Sequence, residues 1–360
     1  MKKTEVETAK ISEELFSFLM KEQISTAYFA NTQVANTVGL LNDAMKDITA
    51  KIIHRGQDGT FTTARLNSLL AEVRQMIDDS YREAEKQLHS KLGGFAVHQA
   101  ESTTAVLSAQ VPVAYSAVAL NPAQIAAMTD GAPIGGKLLS EWWQSLSSSM
   151  ATKTAQQIRL GVVEGESVID IVRRLAGSAK DYEPGIWSIV RRETEAVVRT
   201  AVAGIANNAA LATYAQNSDI VKGWVYVSTL DSRACPVCFS QSGRAFPLEE
   251  GPLPPRHVNC RCFAAPQIKT WKELGVDLAE MPVSQRASAN GPVRGDITYG
   301  EWFKGQDKPT QVDILGPTRQ KLYASGGLAV DAFTTNKGKL LTLDALKERN
   351  AAAFSLAFGG

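Results

Sequence analysis

The clustering of the cysteines is the feature that most constrains this chain. All four cysteines, and one of only four histidines, fall in one short stretch of the 360-residue sequence. Cys235 and Cys238 form a C-x-x-C pair, and after a loop rich in proline and glycine His257, Cys260 and Cys262 form an H-x-x-C-x-C sequence. Thiolate sulfur and imidazole nitrogen are the ligands of structural Zn²⁺ sites. The spacing therefore predicts a zinc centre with five candidate ligands.

These five candidates exceed the four positions of a tetrahedral zinc site. We expect Cys235, Cys238 and His257 to supply three ligands, and either Cys260 or Cys262 to supply the fourth. A cysteine three residues after the histidine closes a compact chelate, which slightly favours Cys260, but the sequence leaves both open. Because four protein ligands leave no free position for a reacting water, the predicted zinc is structural and not catalytic.

Disulfides, a redox-active pair and unliganded thiols are the alternatives to a metal. A disulfide framework is typical of secreted proteins, whereas residues 1–10 are charged and lack the apolar segment of a secretory signal. A redox C-x-x-C sequence follows a strand and opens a helix in a βαβ unit. Here Pro236 and a loop with several glycines and prolines follow Cys235. These observations favour the metal.

Length and charge limit the class of protein. A chain of 360 residues exceeds the usual size of a single core, so two or more domains are expected. The net charge of +1 gives no global signature of a nucleic-acid-binding protein. No run of about 18 apolar residues occurs, so we expect no membrane-spanning segment and a soluble protein made in the cytoplasm.

Residues 1–94 carry the periodicity of two long amphipathic helices. The first is expected to stop at Gly56 and Gly59, and the second at Gly93 and Gly94. The first has a seam of Val34, Val38, Leu41, Met45, Ile48 and Ile52, and the second has a face of Leu66, Leu69, Leu70, Val73, Met76, Ile77, Tyr81, Ala84 and Leu88. Joined by a short turn, the two helices predict an antiparallel hairpin.

Residues 95–220 are also predicted to be helical almost throughout. Trp142 and Trp143 lie on the apolar side of one predicted helix, where paired tryptophans are typical of a core or an interface. The range 131–137 matches the G-x-x-x-x-G-K pattern of a phosphate-binding loop. Leu138 stands where that loop needs a hydroxyl for Mg²⁺, and no apolar strand leads into it, so we expect no nucleotide site.

At Gly223 the pattern changes to the alternation of a β-strand, which places Trp224 and Tyr226 on one face. The strand leads directly into the first cysteine pair. A knuckle at residues 221–268 is too short to build a core of its own, so most of its order is expected to come from the metal.

The chain is therefore predicted to be mainly α with a small β-containing zinc knuckle, an α+β protein. We expect an N-terminal helical hairpin, a helical domain, the strand with its knuckle, and a C-terminal subdomain of small helices, at residues 1–94, 95–220, 221–268 and 269–360. In the last part, Thr298 and Glu301 form a predicted capping box. For the ending from Phe354 to Gly360 the sequence leaves two predictions open, an exposed apolar peptide that docks on a partner and a disordered tail.

The residues around the cysteines resemble the phage Mu F-like minor head protein family, also called the phage head morphogenesis family. The resemblance covers residues 135–268, and segments after it add support. It rests on Arg199-Thr-Ala, Asn207-Asn208-Ala, Tyr214, Gly223-Trp224, Ser228 to Cys238, Gly243, Pro254 to Cys262, Tyr299 to Trp302 and Ile314 to Arg319. Ala234 and Val258 depart from the family's pattern, which has a small polar residue and a proline there, but no ligand is missing.

The resemblance implies a virion protein present in few copies at the portal vertex of the head. It implies a structural role in head morphogenesis and in genome packaging or ejection, with no reaction and no catalytic residues. The implied partners are the portal protein and head interior proteins, close to the packaged DNA. The N-terminal helices are expected to supply the contact with these partners.

Two other classes of function remain open from the sequence. Mu F-like modules also occur fused to enzymes or toxin-like effectors, but the remaining histidines, His54, His89 and His98, all lie on predicted helices where a surface or packed histidine is the default. A zinc-ribbon nucleic-acid binder is the third hypothesis. Its basic patch would consist of Arg256, Arg261, Lys269 and Lys272, diluted by Glu249 and Glu250.

Overall fold

The structure is a computed structural model that describes residues 2–57, 61–110, 115–178, 183–277, 285–294, 297–335 and 340–359. As predicted, the protein is mainly helical with small antiparallel sheets. No helix among the described residues combines the length and the apolar character needed to span a bilayer.

Six helices and one short strand pair form the first part of the chain. The helices are α1 (Lys2–Gly56), α2 (Thr63–Ala109), α3 (Pro122–Gly131), α4 (Leu139–Val163), α5 (Val168–Ala176) and α6 (Ile186–Gln216). The strands β1 (Gly177–Ser178) and β2 (Glu183–Pro184) pair between α5 and α6.

Short elements form the rest. They are β3 (Val221–Val227), α7 (Pro236–Phe239), β4 (Ala245–Phe246), β5 (Phe263–Ile268), β6 (Gln285–Ser288), β7 (Gly291–Arg294), α8 (Tyr299–Lys304), α9 (Lys308–Leu315), α10 (Pro317–Ala324), a 3-10 turn (Val330–Phe333), α11 (Leu343–Arg349) and α12 (Ala351–Phe358).

The chain forms two compact units. We call the first the helical unit; it comprises Ser25–Val97 and Pro122–Ala206. The second, the knuckle unit, comprises Met1–Ile24, His98–Asn121 and Asn207–Gly360. Each unit buries an apolar core of its own.

The core of the helical unit is built from both predicted apolar stripes and from later helices. Ile48 and Ile52 of α1 are fully buried, and Trp143 of α4 is packed in the same cluster. The two long helices are antiparallel as predicted, because Arg55 pairs with Glu72 near one end while Phe29 stacks on Phe95 near the other. The predicted turn residue Gly59 lies outside the described residues.

The expectation that Gly93 and Gly94 end the second helix is wrong, since α2 continues to Ala109. Each glycine costs about 1 kcal/mol relative to alanine in a helix. Phe95 next to them is 5% exposed in the core. Burying one such aromatic side chain contributes about 1.5–3 kcal/mol, which is enough to offset the local preference.

A three-stranded antiparallel sheet in the order β4-β3-β5 forms the centre of the knuckle unit. Trp224 and Tyr226 of β3 are fully buried, as the alternation predicted. Gly223 has no room for a side chain, because a Cβ there would stand 2.4 Å from the carbonyl oxygen of Phe246. The glycine is therefore required for the pairing of β3 with β4.

The C-terminal helices share one compact apolar core. Tyr299, Trp302 and Phe303 of α8 pack with residues of α9, α10 and α11. The predicted capping box is confirmed: the Thr298 hydroxyl accepts from the Glu301 backbone N–H at 3.1 Å, and the Glu301 carboxylate accepts from the Thr298 N–H at 2.7 Å.

The end of the chain differs from the predicted exposed peptide. Residues up to Phe358 form α12, and Ala353 and Ala357 are buried against the C-terminal core. Leu356 of the same helix stays 72% exposed. Alanine-rich sequence favours a helix, and once helical it presents its small residues to the neighbouring helices.

Two glycines inside helices of the helical unit should respond to substitution in opposite directions. Gly94→Ala removes a flexible residue at a position with no atom within 4 Å of the new Cβ, so we expect stabilisation by about 0.5–1 kcal/mol. Gly204→Ala would place a Cβ 2.6 Å from the Ile134 side chain, so we expect destabilisation by about 1–3 kcal/mol. Guanidinium unfolding followed by circular dichroism measures both; a stabilising Gly204→Ala would contradict the packing described for α6.

Candidate metal centre

The first cysteine pair is arranged by one turn of helix. Cys235 has an extended backbone and precedes α7, whose first residue is Pro236. Proline fits this position because its fixed backbone angle suits the first helical residue and its missing N–H needs no partner. The carbonyl of Cys235 accepts from the N–H of Cys238 at 3.0 Å. The sequence predicted a loop here, and the one-turn helix instead brings the two thiols to the same side.

The second set of candidates lies on a turn that enters β5. The carbonyl of His257 accepts from the N–H of Cys260 at 3.2 Å. Between them Asn259 adopts a positive φ of 59°, a conformation that asparagine tolerates better than most residues. Cys262 directly precedes β5, so the sheet fixes its position.

All five predicted ligands meet around the sulfur of Cys238. In one group, the ligand atoms of Cys235, Cys238 and His257 lie within 4.8 Å of one another, and in a second group so do those of Cys238, Cys260 and Cys262. The Cys238 sulfur is 3.1 Å from Nε2 of His257 and 3.6 Å from the sulfur of Cys260.

These separations fit a small tetrahedral metal site. Zinc bond lengths imply edges of about 3.8 Å between two sulfurs and about 3.6 Å between a sulfur and a nitrogen. The distances measured from Cys238 are slightly shorter than both edges. These two separations are therefore compatible with a shared metal ion beside Cys238.

The side chains of the cluster shift one another's pKa values. The hydrogen bond from Cys238, with that from His257, lowers the pKa of Cys235 to about 5. Hydrogen bonds from Cys238 and Cys262 also lower the pKa of Cys260. Hydrogen bonds to Cys235 and Cys260 raise the pKa of His257 to about 10. These shifts favour thiolates at Cys235 and Cys260, which is the form of cysteine that binds a metal, and a bound metal would displace the proton from His257.

The imidazole of His257 is oriented by its own turn. Its Nδ1 lies 2.8 Å from the carbonyl oxygen of Val258, so Nδ1 donates a hydrogen bond there. This leaves Nε2 directed at the Cys238 sulfur. A second hydrogen bond of this kind is the usual way in which proteins fix the orientation of a metal-binding histidine.

Buried polar residues around the cluster hold the two segments together. Asn207 of α6 donates from Nδ2 to the carbonyl of Cys262 at 3.3 Å, and its Oδ1 accepts from the N–H of Ala264 at 2.8 Å. The Tyr214 hydroxyl donates to the carbonyl of Ala264 at 3.2 Å. On the other side, the Tyr226 hydroxyl donates to the Cys238 sulfur at 3.4 Å, and burial raises the pKa of Tyr226.

A second layer connects the cluster to the C-terminal helices. The carboxylate of Asp231 accepts two hydrogen bonds from Arg261, at 2.6 and 2.9 Å. The hydroxyl of Tyr299 donates to the backbone carbonyl of Asp231 at 3.1 Å, and the Tyr299 ring stacks on Phe239 of α7 at 5.1 Å. Arg261 was one of four residues in the predicted basic patch, and its pairing with Asp231 weakens the nucleic-acid hypothesis.

The structure argues against the disulfide and redox alternatives. All four cysteines are free thiols. The Cys238 and Cys260 sulfurs, at 3.6 Å, are well beyond the bond length of about 2.05 Å. The sheet beside the cysteines is antiparallel, which differs from the βαβ setting of a redox C-x-x-C sequence.

The other candidates from the sequence lie apart from this cluster. His54 lies on α1 and His98 on α2, while His89 of α2 contacts Asp130 at 2.8 Å. The range 131–137 follows the helix α3 and not a strand, in agreement with the rejection of a phosphate-binding loop.

A comparison with family models identifies the segment that contains the cluster. Residues 152–265 match the family described as phage Mu protein F like protein. This segment of the chain is similar to the phage Mu F-like head morphogenesis family. The Mu F-like segment contains all five candidate ligands together with Asn207 and Tyr226, and its family is one of structural phage head proteins. Neither a curated protein nor a solved structure gave a significant match to the chain.

Two consecutive asparagines allow a test of how the cluster is held. Asn207→Ala leaves the carbonyl of Cys262 and the N–H of Ala264 without this buried partner, so we expect destabilisation by about 1–3 kcal/mol. Asn208 is the matched control, because its Nδ2 has no hydrogen-bond partner among the described residues. Chemical unfolding monitored by tryptophan fluorescence compares the two; equal effects would mean that Asn207 is not specifically required.

Proposed function

We propose that the protein is a minor head component of a phage particle, located at the portal vertex, whose Mu F-like segment is closed by one structural zinc ion. The observation that carries the proposal is the convergence of five sulfur and nitrogen ligands around Cys238, inside the segment that matches the family. In this role the protein acts structurally in head morphogenesis and in the packaging or ejection of the genome.

Cys235, Cys238, His257 and Cys260 are the proposed ligands. Cys260 is the best fourth ligand because it contacts both Cys238 and His257. Cys262 lies close to Cys238 and Cys260 but does not belong to the group formed by Cys235, Cys238 and His257. Sulfur and imidazole donors without carboxylates favour Zn²⁺ over Mg²⁺ or Ca²⁺.

The proposed zinc links two segments that are separated by a loop rich in glycine and proline. When bound, it supplies four coordinate bonds that cross-link α7 to the turn before β5 and stabilise the fold. Cys238, Cys260 and Cys262 are 1–4% exposed. Burial of the ligands, with all coordination positions filled by the protein, fits a structural site better than a catalytic one.

Single cysteine variants distinguish the two candidates for the fourth ligand. Elemental analysis of the purified protein should give about one zinc per chain. Cys235→Ser, Cys238→Ser and Cys260→Ser should each lose it, because serine is a poor zinc ligand at neutral pH, whereas Cys262→Ser should retain it. Loss of zinc in Cys262→Ser with retention in Cys260→Ser would reverse the assignment, and retention in all four would refute the zinc site.

Removal of zinc should loosen the C-terminal helices as well as the knuckle. Leu230 and Phe239 on either side of Cys235 belong to the same core as Tyr299 and Phe303. After chelation we therefore expect faster hydrogen exchange in β3, β5 and α8, with unchanged exchange in the core of α4. Rapid exchange confined to residues 235–262 would show that the C-terminal core is stable without the metal.

The proposed location can be tested in the particle. An asymmetric reconstruction of the virion should contain density for this helical chain at the portal vertex, in few copies. The same map from particles that carry the Cys235→Ser, Cys238→Ser double variant should lack it. Density distributed over the whole capsid lattice would exclude the portal assignment while leaving the zinc site unaffected.

A further inference from the structure

A cavity lies between the two long helices of the helical unit, far along the sequence from the metal centre. Its volume is about 240 Å³, large enough for one amino-acid side chain. Both α1 and α2 contribute to the wall. The lining residues are Gln33, Asn36, Thr37 and Leu40 from α1, and Ala84, Gln87, Leu88 and Lys91 from α2.

Two polar side chains in the wall lack partners. Gln33 and Thr37 are each only 6% exposed, and their side chains form no hydrogen bond with the described residues. Their polar atoms are not sealed from solvent, so they reach the space of the cavity. Because both residues line the cavity, a group that enters it can accept hydrogen bonds from the Gln33 amide and the Thr37 hydroxyl.

The charge of the lining residues indicates whether the bound group is an anion or a cation. Lys91 is the only ionisable residue in the wall; it is exposed and forms no ion pair with the described residues. Glu83 lies outside the wall and accepts a hydrogen bond from the side chain of Gln87 at 2.9 Å. A cation has no carboxylate among the wall residues, and a doubly charged phosphate has only one lysine. A single carboxylate matches one lysine and two or three neutral donors.

The surface of α1 beside the cavity is shaped for another protein chain. Residues 23–42 contain no charged side chain, unlike the rest of the helix. Ala35 and Gly39 are exposed one turn apart, next to Asn36 of the cavity wall. Nothing lies within 4 Å of the place where Gly39 would carry a Cβ. A glycine that lowers helix stability without an internal packing reason permits the close approach of a second backbone.

We infer that this cavity is a docking site for an acidic side chain, Glu or Asp, of a partner protein whose backbone lies along Ala35 and Gly39. The carboxylate accepts hydrogen bonds from the Gln33 amide and the Thr37 hydroxyl, and pairs with the ammonium of Lys91. The small residues of α1 allow the partner backbone to come close enough for its side chain to reach the cavity. The site is independent of the zinc centre and of the portal assignment.

Peptide binding to the full-length protein tests the charge requirement. The probes are two peptide libraries that share one fixed central residue, Glu in one and Gln in the other. We expect the Glu library to yield ligands that bind about tenfold more tightly than their Gln counterparts, because the ion pair and the hydrogen bonds to a charged acceptor are lost in the latter. Equal binding of matched Glu and Gln peptides would overturn the inference.

Substitutions then place the selected Glu peptides in the cavity. Lys91→Gln should weaken binding about fivefold and Thr37→Val about tenfold. Lys86→Gln, an exposed lysine of the same helix outside the cavity wall, should leave binding unchanged. Circular dichroism confirms that each variant is folded. If Lys91→Gln and Lys86→Gln weaken peptide binding equally, the effect of Lys91 is only general electrostatic attraction. That result would overturn the proposed site.

Gly39→Leu separates a partner chain from a free small molecule. The substitution blocks the backbone approach but leaves the cavity wall intact, so it should abolish binding of the Glu peptides while glutarate still shifts the side-chain amide signals of Gln33 in NMR spectra. Glutarate binding without any peptide binding to the unmodified protein would overturn the polypeptide partner. If the unmodified protein self-associates and Gly39→Leu abolishes this self-association, the occupant of the site would be a second copy of the chain. That result would overturn the assignment to a different protein.

Discussion

The order of the knuckle unit depends on the meeting of two distant chain segments at the sulfur of Cys238. Three sulfurs and an imidazole nitrogen are brought to that sulfur by a one-turn helix on one side and by the turn before β5 on the other. Thiolates at such short separations repel one another unless a positive charge lies among them. The neighbouring thiols raise the pKa of His257, and a metal dication at this place would supply the positive charge instead.

The effect of this meeting point extends outward through a few specific contacts. Asp231 joins the knuckle to the C-terminal helices, because its carboxylate holds Arg261 and its carbonyl holds Tyr299. The aromatic ring of Phe239, one residue after Cys238, packs on Tyr299 as well. The small helices at the end of the chain are therefore assembled on the cysteine turn, and they share its dependence on correct ligand geometry.

Local sequence patterns predicted those features that depend on neighbouring residues. The spacing of the cysteines identified the cluster, and the apolar periodicity identified the cores of α1 and α2. The continuation of α2 beyond Gly94 could not be predicted, because the burial of Phe95 against Phe29 is decided by tertiary packing. The roles of Asn207 and Tyr226 were missed for the same reason: their partners are far away in the sequence. Only the common face of Trp224 and Tyr226 in the strand pattern indicated that Tyr226 would be buried.

The five candidate ligands are unequally buried, so one side of the centre faces the protein interior and the other faces solvent. Cys262 is held by Asn207 and precedes β5, and Cys260 is buried, whereas Cys235 and His257 are only partly covered. A metal ion bound here would exchange with solvent on the side of Cys235 and His257. Its release would then depend on the opening of α7, a single helical turn, more than on any movement of β5.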